Sequence, residues 1–392
     1  MKKLFNLYDS RLGWVALLGW ILLLPSQALA EKNVFKVLDD VEIHGFASSS
    51  YSYNFNNPQT RTNCGVITGT CLRIFDVDDN SFKFDVGELV FLKETPDTGD
   101  IGFRFDLTFG FSIPEIEQQG RSSATAPFPL APDDDDFDVQ QGYVSWKAPI
   151  GNGLQLDFGK FITHIGAEVI EGYDGWNSNF SRSFLFGLAI PFVHTGIRAS
   201  YDINDQISVM AALVNGFASG ETDNNDSKAL GLQVGYAPTD NIGILLNWIG
   251  GNEADDEKLL QVYDLVVDIG LTNELSLQLN VDYGLEENTS NKGDGSSSNW
   301  WGYAVIARYD VNKWFSMNVR GEYLNDSDGW ATGMISTNLW EFTLTPEFRI
   351  HDNLVLRVEY RHDDSSSPVF EDDNGAPTDS QDTVALNVLV YF

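Results

Sequence analysis

The chain is 392 residues long and carries a formal net charge of −33. An acid excess of that size argues against nucleic acid or an anionic membrane surface as a partner, because either would repel it. With 13% aromatic and 43% hydrophobic residues, it also holds too much core-forming material to be an unfolded polyanion.

The chain begins MKKLFNLYDSRLGWVALLGWILLLPSQALA. Lys2, Lys3 and Arg11 come first, an apolar core runs from Trp14 to Leu24, and Ala28 and Ala30 flank Leu29. That order predicts a secretory signal over residues 1–30, cut after Ala30. The apolar core falls short of the roughly 20 residues a membrane helix needs. The leader has three basic residues and one acid, so its removal takes the net charge from −33 to −35. Residues 31–40 are then a short periplasmic lead-in, and 41–392 the folded body. Next come two cysteines, Cys64 and Cys71, in NCGVITGTC. Export into an oxidising compartment makes a local disulfide the expectation, with two free thiols as the alternative.

From there the period is two, not 3.6. IGFRFDLTFGF puts Ile101, Phe103, Phe105, Leu107 and Phe109 on one face and Arg104, Asp106 and Thr108 on the other. LSLQLNVDY, WEFTLTPEFRI and LVLRVEYRH repeat the pattern, with Leu279 and Leu344 among the apolar positions and Gln278 and Thr343 among the polar ones. Strict alternation marks a sheet with one apolar and one polar face. Sandwich strands cluster near 5–6 residues, whereas a tilted strand crossing a bilayer takes about 9–11, and these runs are nearer the second. Sixteen strands are expected, near 41–55, 81–94, 100–112, 136–148, 153–161, 191–202, 206–217, 227–238, 242–252, 258–270, 275–286, 298–309, 314–325, 337–350, 354–362 and 380–392. The alternation slips near Gly87, which predicts a bulge. Short turns such as HDN at 351–353 alternate with long connections at 56–80, 113–135, 162–187, 287–297 and 363–380. The fold class is therefore all-β: a transmembrane up-and-down antiparallel barrel with short periplasmic turns and long extracellular loops. The terminal TVALNVLVYF pairs with the first strand and closes it, and a final Phe392 resembles the assembly signal of bacterial outer-membrane barrels.

The stretch from 141 to 251 is more specific. YVSWKAP, LDFGKFITHIGAEVIEG, NFSRSFLFGLAIPFVHTGIRASY and VNG resemble the β-barrel porin family of the OmpL-like group, and VEIHGF near the start fits too. The resemblance implies an outer-membrane pore without a defined substrate.

No H-E-x-x-H and no G-x-S-x-G is present, so no enzyme is expected. The connection 162–187 is too apolar to wave in water; folded inward it would narrow the pore and present Glu168, Glu171 and Asp174, and the alternative is an external lid. By parity the pore-lining wall carries Arg104, Asp106, Arg198, Asp264, Asp268, Asp282, Arg320, Arg349 and Arg357. Arg and Glu crowd 314–362 and Asp dominates 258–286, which would set a transverse field across the channel. The acidic runs at 76–79, 133–138 and 253–257 read as solvated loops, with loose binding of divalent cations to lipopolysaccharide as the alternative. No cofactor and no metal site are assigned. The expected partners are outer-membrane lipid and lipopolysaccharide, the barrel-assembly machinery, small hydrophilic solutes, and two further copies of the chain in a homotrimer. The expected function is a passive, weakly cation-selective outer-membrane porin; the alternative is a closed structural or surface-binding barrel whose loops do the work.

Overall fold

A computed structural model describes residues 40–66, 71–113, 137–217, 223, 225–253, 258–290, 292 and 295–392. The expected leader 1–30, most of the lead-in 31–40 and Asp133 to Asp136 of the acidic run lie outside the described residues. The body spans β1 (Glu42–Asn54), β2 (Ser81–Lys93), β3 (Ile101–Phe109), β4 (Phe137–Ala148), β5 (Leu154–Ile162), β6 (Val193–Asn204), β7 (Ile207–Val214), β8 (Ala229–Thr239) and β9 (Ile242–Glu253). It continues with β10 (Lys258–Gly270), β11 (Leu275–Glu286), β12 (Ser298–Asn312), β13 (Phe315–Asp326), β14 (Thr337–His351) and β15 (Leu354–Ser365). A two-residue ribbon, β16 (Phe370–Glu371) with β17 (Pro377–Thr378), decorates the last loop, and β18 (Ser380–Tyr391) ends the chain. Sixteen of these strands close into one antiparallel barrel, each paired with its neighbours in sequence and β18 paired with β1.

Every expected strand is found, with ends shifted by a few residues. Parity holds as well. Along β13, Ser316, Asn318, Arg320, Glu322, Leu324 and Asp326 are buried while the residues between them are half-exposed. Near Gly87 the slip is a bulge at Asp85: Ser48 pairs with Val86 and Ser49 with Phe84. The extra residue moves the outward positions from Phe82 and Phe84 to Leu89 and Phe91, so both halves of β2 keep their apolar side outside.

The closing strand is held from both sides. Val384, Leu386, Val388 and Val390 face outward, and Phe392 exchanges two backbone hydrogen bonds with Gly45, each 3.0 Å. Its ring lies over Gly45, where a Cβ would come within 2.3 Å of it. A side chain at this position would have to push the terminal ring aside.

The interior departs from expectation. Besides the polar inner face there is an apolar core inside the barrel, built by connections packed against inward strand residues such as Phe46, Phe161, Ile249, Val262 and Trp300. Leu72, Ile74 and Phe75 of the first connection meet Phe184, Leu185, Phe186, Leu188 and Phe192 after β5, with Val369 and Phe370 of the last connection in the same cluster. Parity tells which side chains point inward. It does not tell whether water or protein meets them there.

Candidate functional site

Residues 163–192 cross the lumen. They leave the end of β5 with His164 3.1 Å from the Trp248 carbonyl of β9. The Ala167 N–H donates to Asn280 of β11, and Glu168 pairs with Arg320 of β13 at 2.8 Å. Glu171 then meets Arg357 of β15 at 2.8 Å. At the tip the Tyr173 ring stacks on His44 of β1, 3.8 Å between centroids, and its N–H donates to Glu88 of β2. Asp174 reaches Arg104 of β3 at 2.6 Å. The segment returns along Glu359 and Glu322, whose carboxylates accept the N–H groups of Phe180, Ser181, Phe184 and Leu185. A single π-helical turn, Leu185–Ala189, ends beneath Trp300, whose indole N–H donates to the Ala189 carbonyl at 3.2 Å.

This geometry changes the role of the charges. Arg320 and Arg357 have no exposed surface and Arg361 only 1%. Arg320 donates to Glu168, Glu341 and the Ser181 carbonyl; Arg357 donates to Glu171, the Asn177 carbonyl and Asn387. The expected Arg/Glu-rich wall is thus an adhesive between β13–β15 and the crossing segment, not a charged surface facing solute. The Glu171 carboxyl shows the balance. Burial pushes it up, Arg182 and Arg357 pull it down, and the net direction is below the usual carboxylate range. Of the three acids expected at the constriction, Glu168 and Glu171 are therefore neutralised in buried pairs, and Asp174 is the exposed one.

The remaining predicted wall residues separate into two groups. Arg104 lies between Asp106 (2.8 Å) and Asp174, and Arg198 pairs with Asp157 at 2.9 Å while its guanidinium covers the Phe161 and Tyr143 rings. Of these, only Arg104 on β3 meets the loop tip, through Asp174. On the far side Asp264 and Asp282 sit opposite each other in register, and Asp264 accepts from the Asn247 and Asn280 amides at 2.5 and 2.6 Å. Asp268 is exposed, bonded to Gln278 at 2.9 Å, and Arg349 is exposed near the β14–β15 turn. Asp268 borders a cavity of about 820 Å³ lined also by Ser178, Gln206, Asn241, Gln278 and Arg308. This open space lies at the short-turn end of the barrel.

Cys64 and Cys71 are joined by a disulfide. The DVDD run behind them is not a solvated loop: Asp76 is ion-paired with buried Arg73, and Asp79 accepts the Asn54 N–H at 2.7 Å. Glu253 likewise accepts the Phe217 N–H, and 254–257 lie outside the described residues. Sequence reasoning missed Arg73, Tyr143 and Trp300. Arg73 had a signal, since CLRIFDV carries apolar residues at Leu72, Ile74, Phe75 and Val77 inside a stretch taken for a loop.

Comparison with known proteins agrees with this architecture. The family model described as "Putative beta-barrel porin-2, OmpL-like" matches residues 40–392. A search of curated proteins finds no match. Among solved structures, the chain is similar to the outer-membrane channel DcaP of Acinetobacter baumannii, with a TM-score of 0.58 at 10% identity, covering 90% of this chain and 97% of that one. It is similar to the trimer form of OmpT, an outer-membrane protein of Vibrio cholerae, with a TM-score of 0.57 at 11% identity, covering 90% and 99%. It is also similar to an anion-selective porin of Comamonas acidovorans, with a TM-score of 0.57 at 10% identity, covering 90% and 99%. At such identities these likenesses speak for the fold. A sixteen-strand barrel with an apolar exterior, a loop across its lumen and a family match over nearly its whole length identifies a protein of the bacterial outer membrane, and the chain belongs to the OmpL-like beta-barrel porin-2 family.

Proposed function

We propose that the protein is a passive diffusion channel for small hydrophilic solutes and ions, with a weak preference for cations. The observation that carries this reading is the cavity at the short-turn end, whose lining mixes apolar residues such as Ile242, Leu277 and Ile306 with three aspartates. Asp205, Asp240 and Asp268 border it, and none of them has a basic partner within ion-pair distance among the described residues, while Arg308 spends its charge on Asp310 and Glu347. An acid excess on a low-dielectric wall gathers cations and repels anions. The preference is therefore assigned to these three aspartates and the acidic loops, and not to Glu168 and Glu171. The Comamonas porin, titled anion-selective, has the same fold, so selectivity here must come from side chains.

The test is the reversal potential in a planar bilayer under a salt gradient. A cation-positive potential is expected at low salt, fading as the Debye length falls from about 10 Å at 0.1 M to about 3 Å at 1 M. Replacing Asp205, Asp240 and Asp268 together by Asn should reduce it; anion preference in the parent would overturn the assignment. The loop-filled half of the lumen favours a second reading, a closed barrel with a structural or surface-binding role. A folded protein giving no ion steps would establish that reading instead.

The assembly proposed is a homotrimer. The OmpT structure titled as a trimer has the same fold, and the exterior of this barrel is chemically lopsided. On β2–β5 the exposed aromatics are Phe, with Phe82 83% and Phe158 70% exposed, and Trp146 the exception. From β8 onward the exposed strand aromatics are Tyr236, Tyr263, Tyr283, Trp301, Tyr303, Tyr309, Trp340 and Tyr360, with Phe342 the exception. Tyr and Trp suit the lipid headgroup level, where one end of the ring stays wet. A Phe-dominated sector suits a dry contact with another copy. Phe82→Asp with Phe158→Asp should convert trimer to folded monomer on native electrophoresis, whereas Tyr263→Asp should leave the trimer in place.

A further inference from the structure

We propose that the first connection, and not only the segment after β5, sets the bore of the channel, and that the Cys64–Cys71 bond holds it there. This rests on the channel reading above. Two arms of this connection, 61–66 and 71–79, run antiparallel inside the barrel. Thr62 bridges Asp78, the Asn63 N–H donates to the Val77 carbonyl at 2.6 Å, and the Leu72 N–H to the Cys64 carbonyl at 3.3 Å. Its returning arm, Cys71–Asp79, is a wedge. Leu72, Ile74, Phe75 and Val77 are buried. The Phe75 ring lies 6.1 and 6.2 Å from those of Phe186 and Phe192, and Ile74 fits so closely that a Cβ on Gly187 would come within 2.6 Å of it. The wedge thus rests on the crossing segment and shares one apolar core with it.

Two devices seat it. The first is Arg73, with 1% of its surface exposed, which donates to Asp363 of β15 at 2.9 Å and Thr383 of β18 at 3.1 Å and is paired with its own Asp76. The second is the disulfide, which ties the wedge to the outgoing arm at Cys64. The intervening sequence contains Gly65 and Gly69, so without the cross-link the two arms gain wide conformational freedom. Leaving the lumen strands no charge. Arg73 and Asp76 travel together into water, and Asp363 keeps Arg361 at 2.6 Å. Burying such a pair is finely balanced against hydrating it, so the ion pair adds little net hold, and the wedge is kept in place by its buried Leu72, Ile74, Phe75 and Val77 together with the cross-link.

Reduction is a balanced exchange. A dithiol such as dithiothreitol attacks one sulfur and then resolves its own mixed disulfide. Two electrons and two protons pass to Cys64 and Cys71, and the reagent leaves as a cyclic disulfide. The experiment uses the folded full-length barrel in detergent and in bilayers, oxidised and after reduction, beside an Arg73→Gln variant with its disulfide intact. Hydrogen exchange at 71–79 should be slow in the oxidised protein and at least about tenfold faster after reduction, with the strands unchanged. Conductance and the size limit for sugars in liposome swelling should both rise on reduction, and Arg73→Gln should move them in the same direction. Unchanged exchange at 71–79 would refute the lock. Faster exchange with unchanged conductance and size limit would refute the role in the bore and leave the channel reading standing. Absence of ion steps in every state would overturn the channel reading together with the bore assignment, while exchange would still report the lock by itself.

Discussion

Leu279→Arg and Leu344→Arg are each expected to destabilise the barrel by roughly 2–4 kcal/mol, the cost of an arginine on the lipid face near the bilayer midplane. Both side chains sit on outward positions of strands whose neighbours on the other face are polar, Leu279 between Gln278 and Asn280 and Leu344 between Thr343 and Thr345. The readouts are urea unfolding in lipid vesicles and the fraction of heat-modifiable protein on a denaturing gel. The luminal controls differ from each other. Gln278→Arg should be mild, because Gln278 borders the open cavity and its partner is Asp268. Thr343→Arg should not be mild. Thr343 has no exposed surface and is hydrogen-bonded to Glu341, so a guanidinium there must displace packed protein. The alternation alone makes these two positions equivalent, and the filled lumen separates them. Equal losses for Leu279→Arg and Gln278→Arg would mean that the faces are assigned the wrong way round.

Arg357→Ala is expected to cost about 3 kcal/mol, because it leaves Glu171 charged and buried with Arg182, at 3.5 Å, as its remaining basic partner. The double variant Arg357→Ala with Glu171→Ala should cost less than the sum of the singles, with a coupling of roughly 1–3 kcal/mol. The same cycle on Arg320 and Glu168 should behave alike, since that pair is also buried at 2.8 Å. A second consequence is functional. The two pairs pin the crossing segment to β13 and β15, so breaking either should release it and give a larger, noisier conductance. Neutralising Glu168, Glu171 and Asp174 together would therefore act chiefly through bore and noise. A clean loss of cation preference at unchanged conductance would show that these carboxylates face solute after all. Additive single costs would show that the arginines contribute nothing beyond their own packing.

The sequence by itself determined the barrel. Period-two alternation is a local property: each residue's face follows from its neighbours at two and four positions, and only a closed sheet in lipid gives the apolar face a place to go. That reasoning reached the sixteen strands, the slip at β2, the closure of β18 on β1 and the inward direction of Arg104, Asp264, Arg320 and Arg357. Only the tertiary structure decided what those inward side chains meet. Glu168 finds Arg320 across 152 positions of sequence and Glu171 finds Arg357 across 186, and nothing local encodes such a pairing. The same holds for Arg73 and Asp363, 290 positions apart. Connections have no period to read. Whether 56–80 and 162–187 lie outside or inside depends on the balance between hydrating their apolar residues and fitting them to a cavity whose shape exists only once the barrel has closed. A buried guanidinium and a solvated one are written with the same letter; the partner brought to it by the fold decides whether it selects solutes or holds a loop in place.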